Sequence, residues 1–227
     1  MADLLVFGPH PDDLEIGLGG AIAKHVSLGH TVALCDLTHG ELGTNGTPQE
    51  RLAESEEARQ VLGATSRDNL GLPDGGIGDD PSHLKAVVAF IRRIKPKTIA
   101  VPYEMDRHPD HVAASRLLTR AAFLSGLTRY AAEGQKWRPD WLLYYFINDS
   151  APPSFVVDVS ANYETKRAAL ACHSSQFDPG GTATRLTSPR FRQLIESRDA
   201  QFGALIGVAF AEGVIAREPI ARPTLLK

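Results

Sequence analysis

The run Gly8-Pro9-His10-Pro11-Asp12-Asp13 directly follows the apolar stretch Leu4-Leu5-Val6-Phe7. A second run of the same character, Asp106-Arg107-His108-Pro109-Asp110-His111, follows Thr98-Ile99-Ala100-Val101-Pro102. Imidazoles and carboxylates are the side chains that ligate divalent cations and move protons near neutral pH. Either cluster alone reads as a turn whose Asp caps the next helix. Two of them at two strand ends read differently, because open α/β sheets collect ligands at the carboxyl edge of their strands. The repetition argues for a metal. A catalytic zinc takes about three protein ligands and keeps a further position open. His10, Asp13 and His111 make one such set and leave Asp12, His108 and Asp110 for acid–base work. Side chains at consecutive positions diverge, so Asp13 can hold the cation while Asp12 faces a water.

Strands and helices must alternate to bring the two runs together. Asp3–Phe7, Thr31–Leu37 and Thr98–Pro102 read as buried strands, and Asn69–Pro73 as a short one. Helices are expected over Glu15–Leu28, Gln49–Gly63, Ser82–Ile94 and Val112–Leu124. Beyond these, Trp141–Ile147 and Phe155–Val159 read as strands, and Asn162–His173 and Pro189–Phe202 as helices, with Lys166 and Arg167 on the exposed face. The alternation predicts a mostly parallel, Rossmann-like α/β sheet flanked by helices, one domain over residues 1–227. Residues 174–189 are expected to form a mobile loop over the site, and the acidic loop Asp74–Asp80 a solvated turn. The apolar tail Ala209–Ile215 suits a subunit contact, consistent with a homo-oligomer. Arg51 falls in the first turn of its helix, where a cation opposes the dipole. A substrate role explains it better than helix stability does.

Composition removes several classes of function. The net charge of -3 offers no basic field for nucleic acid or an anionic membrane. No apolar stretch is long enough to span a bilayer, and no leader is evident, which points to the cytoplasm. Cys35 and Cys172 form no Cys-x-x-Cys pair, so neither a disulfide framework nor a thiolate metal site is indicated. Gly17-Leu18-Gly19-Gly20 could suggest a dinucleotide fingerprint. Its spacing is wrong, however, and carboxylates fill the turn where bare backbone should meet a pyrophosphate. Close helix–sheet packing accounts for those glycines.

The Pro-His-Pro-Asp-Asp and His-Pro-Asp-His motifs, with Thr38-His39-Gly40-Glu41, Arg51, Asp106-Arg107-His108 and Ser174-Ser175-Gln176-Phe177, resemble the LmbE-like, or PIG-L-like, zinc-dependent N-acetylglucosaminyl deacetylases. The resemblance spans nearly the whole chain and looks closest to the bacillithiol-pathway branch, which acts on N-acetylglucosaminyl malate. It implies Zn²⁺, or another divalent ion such as Fe²⁺, on His10, Asp13 and His111. Asp12 would be general base and proton donor. His108 would be a second acid or oxyanion partner, oriented by Asp110 as an imidazolium. Arg51 and Arg107 would bind an anionic aglycone. A deacetylase of another N-acylated sugar or amine, such as an inositol conjugate or a chitooligosaccharide, is the alternative. A non-catalytic metal-binding or nucleotide-binding domain is the reading furthest from these motifs.

Overall fold

A computed structural model describes the chain except for residues 79, 178, 179, 181, 222 and 225–227. In chain order the elements are β1 (Leu4–Gly8), α1 (Asp13–Ser27), β2 (Val32–Asp36), α2 (Pro48–Leu62), β3 (Ser66–Asn69), α3 (Pro81–Ile94) and β4 (Thr98–Pro102). They continue as α4 (Pro109–Ser125), β5 (Trp141–Tyr145), β6 (Phe155–Asp158), α5 (Tyr163–Cys172), α6 (Ser174–Phe177), α7 (Pro189–Ile206) and β7 (Ala211–Ala216). One sheet of seven strands runs in the order β3-β2-β1-β4-β5-β7-β6. β1 to β5 pair in parallel, and only β7 runs against its neighbours β5 and β6. The expected mostly parallel α/β sheet is therefore present. Chain order reverses between β1 and β4, so the two His/Asp runs leave adjacent strands at the topological switch point.

β1 is buried along its whole length, and residues on its two faces feed two apolar cores. That is why its sequence is an unbroken apolar run rather than an alternation. β3 lies at Ser66–Asn69 instead of the expected 69–73. It is an edge strand of polar residues, so no apolar run announces it, and Leu70-Gly71-Leu72 follows as loop.

The tail expected at a subunit contact is β7, hydrogen-bonded on both sides inside the sheet. Its first four residues, Ala211–Val214, are buried, whereas Ala209 is exposed and Phe210 and Ile215 are half-buried. Among the described residues, no helix is long and apolar enough to cross a membrane.

α1 is broken at Leu18 (φ -135°, ψ 17°). The carbonyl of Ile16 accepts from Lys166 Nζ at 3.1 Å and from Arg198 Nη2 at 2.6 Å. The amides of Gly20 and Ala21 donate to the Glu212 carboxylate at 2.9 and 2.7 Å. Lys166 Nζ closes the cluster onto Asp199 and Glu212 at 2.7 and 2.6 Å. Two cations and the Glu212 carboxylate thus satisfy the backbone groups that the break releases, and Asp199 pairs with both cations. Lys166, expected on an exposed face, is fully buried, because its stem crosses Gly19. A Cβ at Gly17 would lie 2.2 Å from the Tyr145 ring. Close packing, as expected, is what these glycines serve.

Candidate active site

The chain leaves β1 at Gly8 and makes the turn that carries His10, then enters α1 through Asp12. Asp12 occupies the N-cap position with φ 113° and no capping bond from its side chain. A non-glycine residue held there is strained. Arg51 reaches from α2 to fix this turn, donating from Nη2 to Pro11 O at 2.6 Å and from Nη1 to Gly40 O at 3.0 Å. Its Nη2 also lies 3.5 Å from Asp12 Oδ2. Arg51 is buried and gives these two donors to backbone carbonyls, while it also lines the cleft over the His/Asp runs. Its position in the first turn of α2 is explained by what it reaches.

The carboxylate of Asp13 is bracketed by two imidazoles. Its Oδ2 lies 3.1 Å from His10 Nδ1 and 3.3 Å from His111 Nε2. The other nitrogen of each ring also meets carboxylates. His10 Nε2 is 3.1 Å from Asp74 and 3.3 Å from Asp110, and His111 Nδ1 is 3.1 Å from Asp106. Ring nitrogens of His10, His108 and His111 come within 4.8 Å of one another, as do ligating atoms of His10, Asp74 and Asp110.

His108 caps α4, its Nδ1 accepting the Asp110 amide at 3.2 Å. A ring that accepts at Nδ1 is the neutral tautomer with its proton on Nε2. The Asp110 carboxylate meanwhile turns to His10 Nε2 and to the Gly75 amide at 2.7 Å. The expectation that Asp110 holds His108 as an imidazolium is therefore corrected: Asp110 serves His10, and its backbone serves His108.

The electrostatics follow from burial and these contacts. Burial opposes charge on His10, yet Asp110, Asp13 and Asp74 hold its pKa well above the usual range. His111, likewise buried, is pushed up to about 9 by Asp13 and Asp106. Asp13 is held well below the carboxylate range by His111 and His10 in spite of its burial. Burial pushes Asp12 up to about 6, against the pull of Arg51. His108 is lowered by burial and then by the neighbouring imidazoles.

A cleft of about 330 Å³ opens over these groups, walled by Leu42, Ile147, Leu186 and Phe191 among others. Arg107 lines it, exposed, with no side-chain partner among the described residues. Of the run 174–189 expected as a mobile loop, residues 178, 179 and 181 lie outside the described residues. Ser174 and Ser175 bond Glu54, while Thr184, Arg185 and Leu186 line the cleft. Asp74 and Asn148 lie outside the motifs, and Asp106 lies within one that gives it no role. Asp74 sat in a loop read as solvated, whereas its Oδ1 meets the buried ring of His10. The signal for Asp106 is an acid five residues before His111, whose Nδ1 it meets at 3.1 Å.

Residues 5–122 match the model of the PIG-L family, GlcNAc-PI de-N-acetylase. The chain is 28% identical to a diacetylchitobiose deacetylase of Thermococcus kodakarensis, over 93% of this chain and 81% of that protein. It is 26% identical to the 1D-myo-inositol 2-acetamido-2-deoxy-alpha-D-glucopyranoside deacetylase of a Nocardioides species, over 78% and 84% of the two. The crystal structure of a conserved protein from Thermus thermophilus superposes over 100% of both chains with a TM-score of 0.92 and 38% identity.

Proposed function

Because the chain belongs to the PIG-L family of GlcNAc-PI de-N-acetylases, we propose that it hydrolyses the acetamide of an N-acetylglucosamine conjugate, with His10, Asp13 and His111 holding a divalent cation, zinc in the first instance. The observation that carries this reading is the bracketing of Asp13 Oδ2 by two imidazole nitrogens whose opposite nitrogens meet carboxylates. Zinc with ligands at about 2.0–2.1 Å in a tetrahedron needs ligand atoms roughly 3.3 Å apart, close to the two spacings at Asp13. The triads of described residues whose ligating atoms all lie within 4.8 Å are, however, His10, His108 and His111, and His10, Asp74 and Asp110. The carboxylate behind each ring is what a metal-bound histidine uses to fix its tautomer. A cation bound there supplies Lewis acidity toward a carbonyl oxygen and makes a water more acidic.

The remaining steps fall to the chain's own side chains. Asp12, beside Asp13 and without a capping bond, takes the proton of the attacking water and returns it to the departing nitrogen. His108 presents Nε2–H to the oxyanion as it forms, because Nδ1 is occupied by the Asp110 amide. Arg51 keeps the turn at Pro11 in place and offsets the charge on Asp12.

The relatives' substrates, diacetylchitobiose and the inositol 2-acetamido-2-deoxyglucopyranoside, favour an uncharged partner on the sugar. Arg107 favours a second reading, an anionic aglycone such as malate on the bacillithiol route, since an unpaired guanidinium suits a carboxylate. Free-amine release from diacetylchitobiose, N-acetylglucosaminyl inositol, N-acetylglucosaminyl malate and N-acetylglucosamine, using zinc-loaded protein, decides between them. Release from none of the four by fully loaded protein overturns the deacetylase reading.

A further inference from the structure

Behind the turn that carries Asp12, the protein buries polar atoms that it does not itself satisfy. Among the described residues, the buried side-chain atoms without a hydrogen-bond partner are Asp12 Oδ2, Glu15 Oε2, Arg51 Nε, Ser55 Oγ, both ring nitrogens of His173, His83 Nδ1 and Ser115 Oγ. All but the last two belong to one region. Arg51 and Ser55 are one turn apart on α2 and share a face. Arg67 Nη1 spans the Ser55 carbonyl at 3.3 Å and Glu15 Oε1 at 2.5 Å. His173, at the end of α5, points Nε2 to within 3.3 Å of Glu15 Oε2 without hydrogen-bond geometry. Arg51 and Asp12 also line the cleft, so the Asp12 carboxylate stands between the cleft and this group of polar atoms.

Buried polar groups in folded proteins are satisfied by protein or by ordered water. Charged contacts offset part of the cost of leaving these bonds unmade, with His173 Nε2 3.3 Å from Glu15 Oε2 and Arg51 Nη2 3.5 Å from Asp12 Oδ2. Ser55 Oγ, Arg51 Nε and His173 Nδ1 have no such partner among the described residues. The atoms are also complementary: Arg51 Nε, Ser55 Oγ and one His173 nitrogen can donate, while Asp12, Glu15 and the other His173 nitrogen accept. A buried water makes about three hydrogen bonds, so about two waters would serve the set.

We propose that the space between α1, α2 and the end of α5 is an internal water-binding chamber, and that His173 is a positioning residue which, through this water, holds the rear of the Asp12 carboxylate. The proposal rests on the reading of Asp12 as the base. It gives a use to a fully buried imidazole that touches neither the cleft nor the metal ligands. It also explains how a carboxylate without a capping bond keeps one orientation.

The test combines crystallography with kinetics on the metal-loaded protein. A high-resolution crystal structure is expected to show ordered water within hydrogen-bond distance of a His173 nitrogen and of Asp12 Oδ2 or Glu15 Oε2. A His173 ring bonded directly to Glu15, with no water in the space, overturns the proposal. His173→Phe is expected to lower kcat about 10- to 100-fold, the scale on which misplaced reacting groups cost rate. Its KM and metal content should stay unchanged, and His173→Gln, whose amide can still hold water, should recover most of the rate. If His173→Phe fails to fold, Ser55→Ala carries the kinetic arm, with a smaller fall in kcat at constant KM. Unchanged kcat in either variant overturns the proposal. Failure of the underlying reading looks different: Asp12→Asn would then turn over normally while the buried water remained.

Discussion

Replacing Asp12 with Asn should move activity and stability in opposite directions. The Asp12 carboxyl sits almost wholly out of water, and burial pushes its pKa from an ordinary 3.8 to about 6 even with Arg51 alongside. A carboxyl whose folded pKa is raised binds its proton more tightly in the native state. Stability then rises as pH falls through the window from about 6 to 3.8, and at pH 7 the ionised group costs the fold. At 1.36 kcal/mol for each pKa unit, the cost is on the order of 3 kcal/mol. Asn carries no charge, suits the positive φ of 113°, and takes nothing from helix capping because Asp12 makes no such bond. Asp12→Asn, stripped of metal by a chelator, should therefore melt higher than the parent at pH 7, by about 6–12 °C for a chain of this size. The difference should shrink toward zero at pH 4, where the parent's own carboxyl is protonated. Turnover of the metal-loaded variant should fall about 10²–10⁴-fold with the base removed. Thermal melts at the two pH values and an amine-release assay read both effects. A variant no more stable than the parent at pH 7 refutes the burial argument, and near-normal turnover moves the base role to another group.

Elemental analysis of protein purified without chelator should find one divalent ion per chain, and none in His111→Ala or Asp13→Ala. Asp106→Asn, which removes the carboxylate behind His111, should weaken metal affinity about 10- to 100-fold in a chelator competition. Arg51→Ala should depress turnover of every substrate alike, because its donors hold Pro11 and Gly40, whereas Arg107→Ala should raise KM only for a negatively charged conjugate. Equal losses from both variants on a charged and an uncharged substrate would remove the distinction. Lys166→Ala leaves Asp199 and Glu212 buried without their shared cation and should cost about 3–5 kcal/mol in urea unfolding.

How much the sequence could tell depended on the range of each interaction. β1, β2 and β4 were legible because a strand buried on both faces must be an unbroken apolar run. The two His/Asp runs were legible because each is contiguous and follows such a strand. β3 was misplaced because an edge strand of Ser66-Arg67-Asp68-Asn69 needs no apolar residues. The apolar run 209–215 does not announce a strand at Ala211–Ala216, because apolar composition does not say what covers it. Lys166 was put on the surface because nothing local reveals that Asp199 and Glu212, 33 and 46 residues away, neutralise it. Asp74 was lost for the same reason. Its loop looks solvated, and only the fold brings it to His10.

The crowding of Asp12, Asp13, Asp74, Asp106 and Asp110 around one cleft raises a charge problem whose solution indicates what the site holds. Buried carboxylates need cations. Arg51 serves Asp12, but the others are answered by His10 and His111, whose raised pKa values mean that protons supply the positive charge when no metal does. A metal ligand must be a neutral imidazole, so a divalent cation entering at pH 7 displaces those two protons. Asp13 has none to give up, being ionised already. Two positive charges leave as one doubly charged ion arrives, and the neighbourhood keeps its net charge. The environment of Asp12 is thus disturbed little by the exchange, while His108, kept neutral by burial and by the Asp110 amide, does not compete for a proton. Metal affinity should accordingly rise with pH from neutrality through about 9, where His111 loses its proton unaided. In the proposed metal site, the carboxylates behind the two rings would raise proton affinity and metal affinity together, so that one is traded for the other.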